Sequence, residues 1–246
     1  MTKAEVNKRK FIFDGAINLF YAPEVKSEAK EKIEIVKEYL QENPEMNFVL
    51  YFNHISLDDP AALLRVANLI DPNGTRHLVV PSSLSHANSN DFLGKFISFS
   101  MEVVAGCGIE VMPVVQTFQV GEKYTQEEAR ESYIKLFNRL KELKKSEIPT
   151  GVIIGPEGHR SENGELSSAE SGMVAAGRLL SPVMYIPLAI SYGGEFKRDK
   201  MNIGSKMKIN IGEITVQETA REYPSIEELM MKLAGALPEE MRGVWK

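Results

Sequence analysis

The clearest structural signal in the sequence is the stretch Phe48–Pro60, which reads FVLYFNHISLDDP. Its first five residues are all large and apolar, a run typical of a strand that is buried on both faces. Asn53 ends the run, and Asp59-Pro60 then introduces apolar residues at helical spacing, as expected where proline occupies the first turn of a helix. The stretch therefore predicts a buried strand, a short polar loop and a helix.

Strand-like and helix-like segments alternate through the rest of the chain. Short apolar runs rich in β-branched residues predict strands at Phe48–Phe52, His77–Val80, Ile109–Val115, Val152–Ile154, Val183–Ile190 and Met207–Ile211. Apolar residues at helical spacing predict helices at Pro60–Ile70, Asn90–Val104, Gln126–Lys145, Ser168–Leu180 and Ser225–Leu237. Strands that alternate with helices are joined by crossover connections and form parallel sheets covered on both faces. We therefore predict an α/β fold, a mostly parallel mixed sheet flanked by helices.

The first 43 residues do not follow this alternation. Residues 1–10 are polar, residues 11–21 are rich in aromatic side chains, and Glu24–Gln41 has apolar residues at helical spacing. Asn43-Pro44 ends this predicted helix, because a residue before proline is disfavoured in the helical region. The prediction is a helical N-terminal extension over residues 1–43 and an α/β domain over residues 44–246.

The composition excludes several classes of protein. The chain has 246 residues, of which 43% are hydrophobic and 26% charged, so its composition is globular rather than disordered. Its formal charge of −5 argues against a nucleic-acid partner, and its single cysteine, Cys107, excludes an internal disulfide. No apolar run reaches the roughly 18–20 residues that span a bilayer. We expect a soluble protein of a reducing compartment, the cytoplasm.

His54 follows the first predicted strand, and ligand crevices in α/β sheets form at the ends of strands. Histidine is the commonest general base, provided that a carboxylate holds its ring in one tautomer. Asp58 and Asp59 lie four and five residues further on, so one loop can bring a carboxylate back to the imidazole. Two interpretations remain open. Either Asp59 serves His54 in a catalytic pair, or Asp59 caps the helix that begins at Pro60 and Asp58 is solvated.

A second loop, GPEGHRS at residues 155–161, follows the predicted strand Val152–Ile154. Its glycines and proline predict a tight turn, whose backbone N–H groups can hold an anion. Arg160 adds a guanidinium suited to a phosphate or carboxylate, and Glu157 can bind a hydroxyl or orient Arg160. The alternative is a surface turn in which Glu157 and Arg160 pair with each other.

Together the two loops resemble the glycerolipid acyltransferase family, whose best-known members are glycerol-3-phosphate and 1-acylglycerol-3-phosphate acyltransferases. The family's first motif is histidine, any four residues, then aspartate, which His54 and Asp59 match. Its Pro-Glu-Gly-Thr-Arg-Ser motif is matched by residues 156–161, except that His159 replaces the threonine. A third element, an apolar strand with a proline, is matched by Tyr185–Ile190. The three elements agree with the family in order, spacing and strand context.

The resemblance implies transfer of a fatty acyl group from a thioester, acyl-CoA or acyl-ACP (acyl carrier protein), to a hydroxyl acceptor such as a glycerol phosphate or lysophospholipid. His54 would act as the base, with Asp59 as its partner and no cofactor or metal. The acceptor would be held by residues of the second loop, namely Glu157, Gly158, Arg160 on its phosphate and, through its hydroxyl or only as a turn residue, Ser161. Two other functions remain open: an acyl-binding protein on an inactive acyltransferase scaffold, and an acyl hydrolase.

The chain departs from the family's pattern at several basic positions. Many members have an arginine for the acceptor phosphate in an element between the two motifs, about where this chain has Gln116. A basic residue about a dozen positions after the second motif is also missing, because Ser168–Ser171 occupies that region. The polar segment Pro81–Asn90, where members often carry lysines, either lines a polyhydroxyl acceptor site or forms a turn-and-cap cluster. These departures leave open an acceptor with a different head group.

The aromatic segment Phe11–Tyr21 follows three basic residues, Lys8-Arg9-Lys10. Basic residues beside apolar side chains can lie in a membrane interface, so one expectation is peripheral contact with the cytoplasmic face of a membrane. The other expectation is a short helix that packs on the α/β domain, which Asp14 and Asn18 favour.

Overall fold

A computed structural model describes residues 23–83, 108–193 and 206–246, together with Gly15. Within these ranges eight strands form one sheet: β1 (Glu24–Val25), β2 (Asn47–Phe52), β3 (His77–Ser83), β4 (Ile109–Val114), β5 (Thr150–Ile154), β6 (Val183–Gly193), β7 (Lys206–Ile211) and β8 (Thr215–Gln217). The α-helices described are α1 (Ser27–Glu42), α2 (Asp59–Ile70), α3 (Gln126–Lys145), α4 (Gly172–Leu180) and α5 (Ile226–Ala236).

The strands lie in the order β1-β7-β6-β2-β5-β3-β4, and β8 also pairs with β6. The central strand β2 is parallel to β5 and β6, and β3 is parallel to β4 and β5. Among the described strands, only the pairs that β6 makes with β7 and β8 are antiparallel. The predicted α/β fold with a mostly parallel mixed sheet is therefore confirmed.

β2 is buried along its whole length, as its unbroken apolar sequence predicts. Phe48, Leu50 and Phe52 share an apolar core with α1 and α2, whereas Val49 and Tyr51 share a second core with α3, α4 and α5. This division follows from the alternation of side chains between the two faces of a strand. Helices therefore cover both faces of the sheet, and a ligand site can form at the ends of the strands.

Two asparagines fasten the ends of β2. Asn47 Oδ1 accepts a hydrogen bond from the Thr150 N–H at 2.8 Å, at the start of the strand. Asn53 donates from Nδ2 to the Ile190 carbonyl at 2.9 Å and accepts from the Ile190 N–H at 2.8 Å. The Asn53 side chain thus takes the place of a backbone partner for β6. The main chain can leave the sheet at this point, which brings His54 to the edge.

Residues 23–43 pack into the α/β domain. β1 pairs with β7, and α1 buries one face in the same core as α2. The buried guanidinium of Arg76 donates to the carbonyls of Leu40 and Met46, each at 2.9 Å, and so ties the end of α1 to β3. This part of the predicted extension therefore belongs to the domain.

Most predicted elements agree with the structure to within a few residues. The prediction missed β8, which has 3 residues, and it wrongly began a helix at Glu24, where the structure has the 2-residue strand β1 and begins the helix at Ser27. The helix predicted from Ser168 begins at Gly172. The predicted helix Asn90–Val104 and, apart from Gly15, the segment Phe11–Tyr21 lie outside the described residues.

Candidate active site

The two loops singled out in the sequence leave the sheet side by side. β2 and β5 are parallel neighbours, with Tyr51 aligned with Ile154, so the loops that follow them begin at the same edge. The loops meet closely, since a carbon added at the Cα of Gly155 would lie 3.4 Å from the Cβ of His54. The carboxyl edge of a parallel sheet is the usual ligand position in folds of this class.

His54 and Asp59 form a hydrogen-bonded pair. His54 Nδ1 lies 2.8 Å from Asp59 Oδ2. The same oxygen accepts from the backbone N–H groups of Ile55 at 2.7 Å and Ser56 at 2.9 Å. Asp59 is fully buried, whereas the His54 side chain is 27% exposed. Because a carboxylate only accepts hydrogen bonds, Nδ1 carries a proton in this contact, and Nε2 is left as the basic nitrogen of the neutral ring.

The structure favours the pairing of Asp59 with His54 over a role in helix capping. α2 begins at Asp59, and Asp58, the residue before it, makes no side-chain cap. The Asp59 Oδ2 contacts the loop that precedes the helix, not the N–H groups of the helix. Asp58 is buried rather than solvated, and it accepts from the Ser56 hydroxyl at 3.4 Å. Asp59 is therefore the carboxylate that holds the imidazole.

Glu157 and Ser161 hold the backbone of His54. Glu157 Oε1 accepts from the His54 N–H at 3.3 Å, and the Ser161 N–H donates to the His54 carbonyl at 2.7 Å. The second oxygen of Glu157 accepts from the N–H and the hydroxyl of Ser167, at 2.8 and 3.0 Å. The second loop therefore binds both the N–H and the carbonyl of His54, although Glu157 lies 103 residues further along the chain.

The carboxyl of Glu157 is almost completely buried, with 2% of the residue exposed. Burial raises the pKa of this carboxyl above its ordinary value, and the hydrogen bonds from Ser167 and His54 and the nearby His159 offset the rise only in part. Glu157 thus binds a proton more tightly in the folded chain than in the unfolded chain. Its contacts are those of a residue that positions His54.

The turn of the second loop requires glycine at Gly158, whose φ is +70°. The Gly158 N–H donates to the Gly155 carbonyl at 3.2 Å and closes the turn. His159 is half-buried; its Nδ1 is 2.8 Å from the Glu157 carbonyl oxygen, and its ring packs edge-on against Phe118. The loop is therefore shaped by its own hydrogen bonds.

A cavity of about 240 Å³ adjoins His54. Most of its wall is apolar and comes from α2, β3, β4, α3 and β5, with side chains that include Leu63, Val111, Val114, Phe137 and Leu140. Among the described residues of the wall, the charged ones are Arg160 and Glu170, apart from His54 itself. An apolar cavity with a few polar groups beside a reactive side chain is the usual form of a small-molecule site.

The predicted site residues divide into those on the cavity wall and those behind it. Three of them line the cavity: His54, Gly158 and Arg160. Asp59 lies behind His54, and Glu157 and Ser161 are buried away from the wall. The Ser161 hydroxyl donates to the Glu165 carbonyl at 2.7 Å and so belongs to the loop's internal bonding. Contact of Glu157 or Ser161 with a ligand stays a prediction.

Several cavity residues come from segments that depart from the family's pattern. Gln116 lines the wall, as do Ser82 and Ser83 from the predicted polar segment, whose residues 84–90 lie outside the described ranges. Glu170 also lines it, from the segment where a basic residue was expected. Sequence reasoning missed Glu170; the missing basic residue at Ser168–Ser171 was the one signal in that segment, and it was interpreted only as a departure.

Two further properties concern the described residues as a whole. In these ranges no group of three or more histidine, cysteine, aspartate or glutamate side chains is arranged to hold a metal ion. No helix there is long and apolar enough to cross a membrane.

A scan against models of known protein families matches none, and a search of curated proteins finds no significant match.

Proposed function

We propose that the protein is an O-acyltransferase that moves a fatty acyl group from acyl-CoA or acyl-ACP to a hydroxyl acceptor. The observation that carries the proposal is the His54–Asp59 pair, joined at 2.8 Å beside an apolar cavity. The resemblance of the two loops to glycerolipid acyltransferases supports it and makes a glycerol phosphate or lysophospholipid the expected acceptor. The protein would then act in phospholipid biosynthesis.

The reaction uses His54 first as a base and then as an acid. Nε2 takes the proton of the acceptor hydroxyl while the hydroxyl oxygen attacks the carbonyl carbon of the thioester. The new C–O bond gives a tetrahedral oxyanion; the C–S bond then breaks, and Nε2 returns the proton to the leaving thiolate. Asp59 holds the ring at Nδ1 and stabilises the imidazolium that forms. Proton transfer of this kind contributes ~10²–10⁴-fold to the rate.

The base is held in place before any substrate arrives. Asp59 holds the imidazole of His54, while Glu157 and Ser161 hold the peptide groups on either side of it. A fixed reacting group raises the rate, because the entropy of bringing it into position has already been lost during folding. The buried bonds of the second loop therefore serve the reaction even without touching substrate.

The apolar wall of the cavity supplies a place for the acyl chain. It is lined by Leu63, from the core that contains α2, and by Val114 and Leu140, from the core that contains α3. Each methylene group moved from water into such surroundings contributes about 0.8 kcal/mol to binding. The acyl chain would therefore provide much of the affinity for the donor.

The same proposal places the enzyme in the cytoplasm, in peripheral contact with the cytoplasmic membrane face. What supports this is the sequence of Phe11–Tyr21, with its aromatic side chains next to Lys8-Arg9-Lys10. Binding of the purified protein to sedimented anionic vesicles, compared with a variant that lacks residues 1–21, tests this contact.

Mass spectrometry of the products tests the proposed reaction and separates it from the alternatives. The protein is incubated with palmitoyl-CoA or palmitoyl-ACP and a mixture of alcohols that includes glycerol, glycerol 3-phosphate and their monoacyl derivatives. An acyl ester of any of these supports the proposal. Free fatty acid as the main product would indicate an acyl hydrolase, and unchanged thioester with measurable binding of the acyl chain would indicate an inactive scaffold.

A further inference from the structure

Glu170 gives the cavity wall an acidic group. It lies two residues before α4 begins at Gly172, and its side chain is half-buried. Oε1 accepts from the Thr117 hydroxyl at 2.5 Å, and the carboxylate also accepts from the Tyr133 hydroxyl. A carbon added at Gly158 would lie 3.2 Å from Oε1, so the carboxylate rests against the second loop. Three separate segments therefore converge on this carboxylate.

Glu170 and His54 flank one short turn. The turn runs from Gly155, which lies against His54, to Gly158, which lies against Glu170. The Gly158 N–H closes it with a hydrogen bond to the Gly155 carbonyl at 3.2 Å. Since His54 and Glu170 both line the cavity, one small ligand can reach both side chains. Glu170 is thus placed to contact the molecule whose hydroxyl approaches His54.

The charges on the wall do not favour a phosphate. Arg160 is the basic residue among the described residues of the wall, and Glu170 is the acidic one. Gln116, which also lines the cavity, is neutral. A phosphate monoester carries a charge of about −1.5 to −2 at neutral pH. On the described part of the wall it would therefore meet one guanidinium and one carboxylate, and the carboxylate would repel it.

The same wall suits a ligand with several hydroxyl groups. A carboxylate has about four positions at which it can accept a hydrogen bond, and Thr117 and Tyr133 occupy two of them. Burial, the charge of Glu170 and the hydrogen bond to it raise the pKa of Tyr133 to about 12, so the phenol remains a donor at neutral pH. The Gln116 amide can donate and accept. Glu170 thus keeps the capacity to accept from ligand hydroxyls.

We propose that Glu170 makes this site select an uncharged acceptor with neighbouring hydroxyl groups, a polyol, over a phosphate monoester. The inference rests on the proposed acyl transfer, and it replaces the phosphorylated acceptor expected from the resemblance with an uncharged one. One hydroxyl of the acceptor donates to Glu170, and another approaches His54 and takes the acyl group. Glu170 is then the residue that determines specificity for the acceptor.

The test compares 1-hexanoylglycerol with its 3-phosphate, two acceptors that differ only in the phosphate. kcat/KM for acyl transfer to each is measured for the wild type, for Glu170→Gln and for Glu162→Gln, an exposed acidic residue of the same segment that does not line the cavity. We expect the wild type to prefer 1-hexanoylglycerol by at least ~10-fold and Glu170→Gln to shift the ratio ~10-fold towards the phosphate, because a charged acceptor makes the stronger hydrogen bond. Glu162→Gln should leave the ratio unchanged.

Glutamine at position 170 keeps one accepting oxygen, which the Thr117 hydroxyl can use, and the ratio of the two kcat/KM values separates specificity from structure. If Glu170 only stabilises the fold, Glu170→Gln will change kcat/KM for the two acceptors by the same factor and leave their ratio unchanged. That result, or a wild-type preference for the phosphate, would overturn the inference.

Calorimetric binding of the same two probes distinguishes a failure of this inference from a failure of the proposed reaction. If no ester forms but the wild type binds 1-hexanoylglycerol preferentially, and Glu170→Gln loses that preference, acyl transfer is wrong and the polyol site stands. If esters form but the phosphate is bound better, acyl transfer stands and the polyol site is wrong. If the wild type binds neither probe, the inference is overturned.

Discussion

Two histidine–carboxylate pairs occur in the described parts of the chain, and both are within hydrogen-bond distance. His54 lies 2.8 Å from Asp59, and His77 lies 2.5 Å from Glu110. Asp59 is fully buried, whereas the Glu110 side chain is 27% exposed and also accepts from the Arg139 guanidinium at 2.9 and 3.0 Å. His54 lines the cavity, and His77 does not.

The difference lies in what surrounds each pair. Burial alone would raise the pKa of Glu110, but the hydrogen bonds from Arg139 and His77 outweigh it, and the pKa lies below its ordinary value. The negative charge of Glu110 is thus already balanced by a permanent cation. The His54–Asp59 pair instead has one basic nitrogen beside a cavity where a substrate can bind. Access and surroundings, rather than a short distance, make a histidine a candidate base.

The largest effect is expected for Asp59→Asn, which breaks the pair that faces the cavity. We expect kcat of acyl transfer to fall by about 10²–10⁴-fold, because an amide does not stabilise the imidazolium and can present an N–H to His54 in place of an acceptor. Release of free CoA from palmitoyl-CoA measures the rate. The matched variant Glu110→Gln should keep kcat within about twofold of the wild type, since the charge of its pair has no part in proton transfer.

A smaller loss, about tenfold in kcat, is expected for Glu157→Gln. Glu157 accepts hydrogen bonds at both oxygens, from the His54 N–H and from Ser167, and glutamine has only one accepting oxygen. Removing one of these bonds loosens His54 by an amount comparable to a typical hydrogen bond, about 1 kcal/mol, and tenfold corresponds to about 1.4 kcal/mol. An unchanged kcat in a folded Glu157→Gln variant would contradict the positioning role.

A few-fold effect is expected for Trp245→Phe. Trp245 Nε1 donates to the Ser167 carbonyl at 2.7 Å, and Ser167 in turn holds Glu157 and, through it, His54. Phenylalanine keeps an aromatic ring but has no donor, so kcat should fall by about two- to threefold at unchanged KM. Val244→Ala, at the exposed neighbouring position, is the control and should leave kcat unchanged.

Glu110→Gln is expected to change stability rather than rate. The lowered pKa of Glu110 means that its contribution to stability is complete above the ordinary carboxyl pKa and is lost as the pH falls through the lowered folded pKa. The partly exposed pair should contribute about 1 kcal/mol, so Tm of the variant should be about 2–4 °C lower at pH 7. The difference should shrink under strongly acidic conditions, and a difference that grows there would contradict the assignment.

Glu157 should show the opposite dependence on pH. Because its folded pKa is raised, its contribution to stability is present at acid pH and is lost as the pH rises through the folded pKa. The deficit in Tm of Glu157→Gln relative to the wild type should therefore be largest at acid pH and decrease towards neutral pH. Thermal melts of Glu110→Gln and Glu157→Gln across this pH range measure the two opposite dependences.

The parts of the fold that the sequence predicted are those with strong local signals. α2 was predicted to within one residue, because Asp59-Pro60 follows an unbroken apolar strand. β1 and β8 were missed, because strands of 2 and 3 residues are too short for any periodic pattern. The helix predicted from Ser168 begins at Gly172, because Glu170 donates its N–H to the Pro156 carbonyl and lines the cavity instead.

The candidate site was predictable where one loop contains both partners, as with His54 and Asp59. The hydrogen bonds that Glu157 and Ser161 make with the His54 backbone join residues about a hundred positions apart. A glutamate or serine in a sequence can bind either a backbone group or a ligand, and its residue type does not distinguish the two. The hydrogen bond from Thr117 to Glu170 also joins residues that are distant in the sequence, so no local pattern predicts it.

A matched pair of histidine variants tests whether His54 is the base of the reaction. His54→Gln and His77→Gln are compared with the wild type by kcat for release of free CoA from palmitoyl-CoA in the presence of an alcohol acceptor. The proposed role of His54 as the base predicts that His54→Gln lowers kcat by at least ~100-fold, while His77→Gln stays within about twofold of the wild type. Full activity in a folded His54→Gln variant, or an equal loss in both, would contradict it.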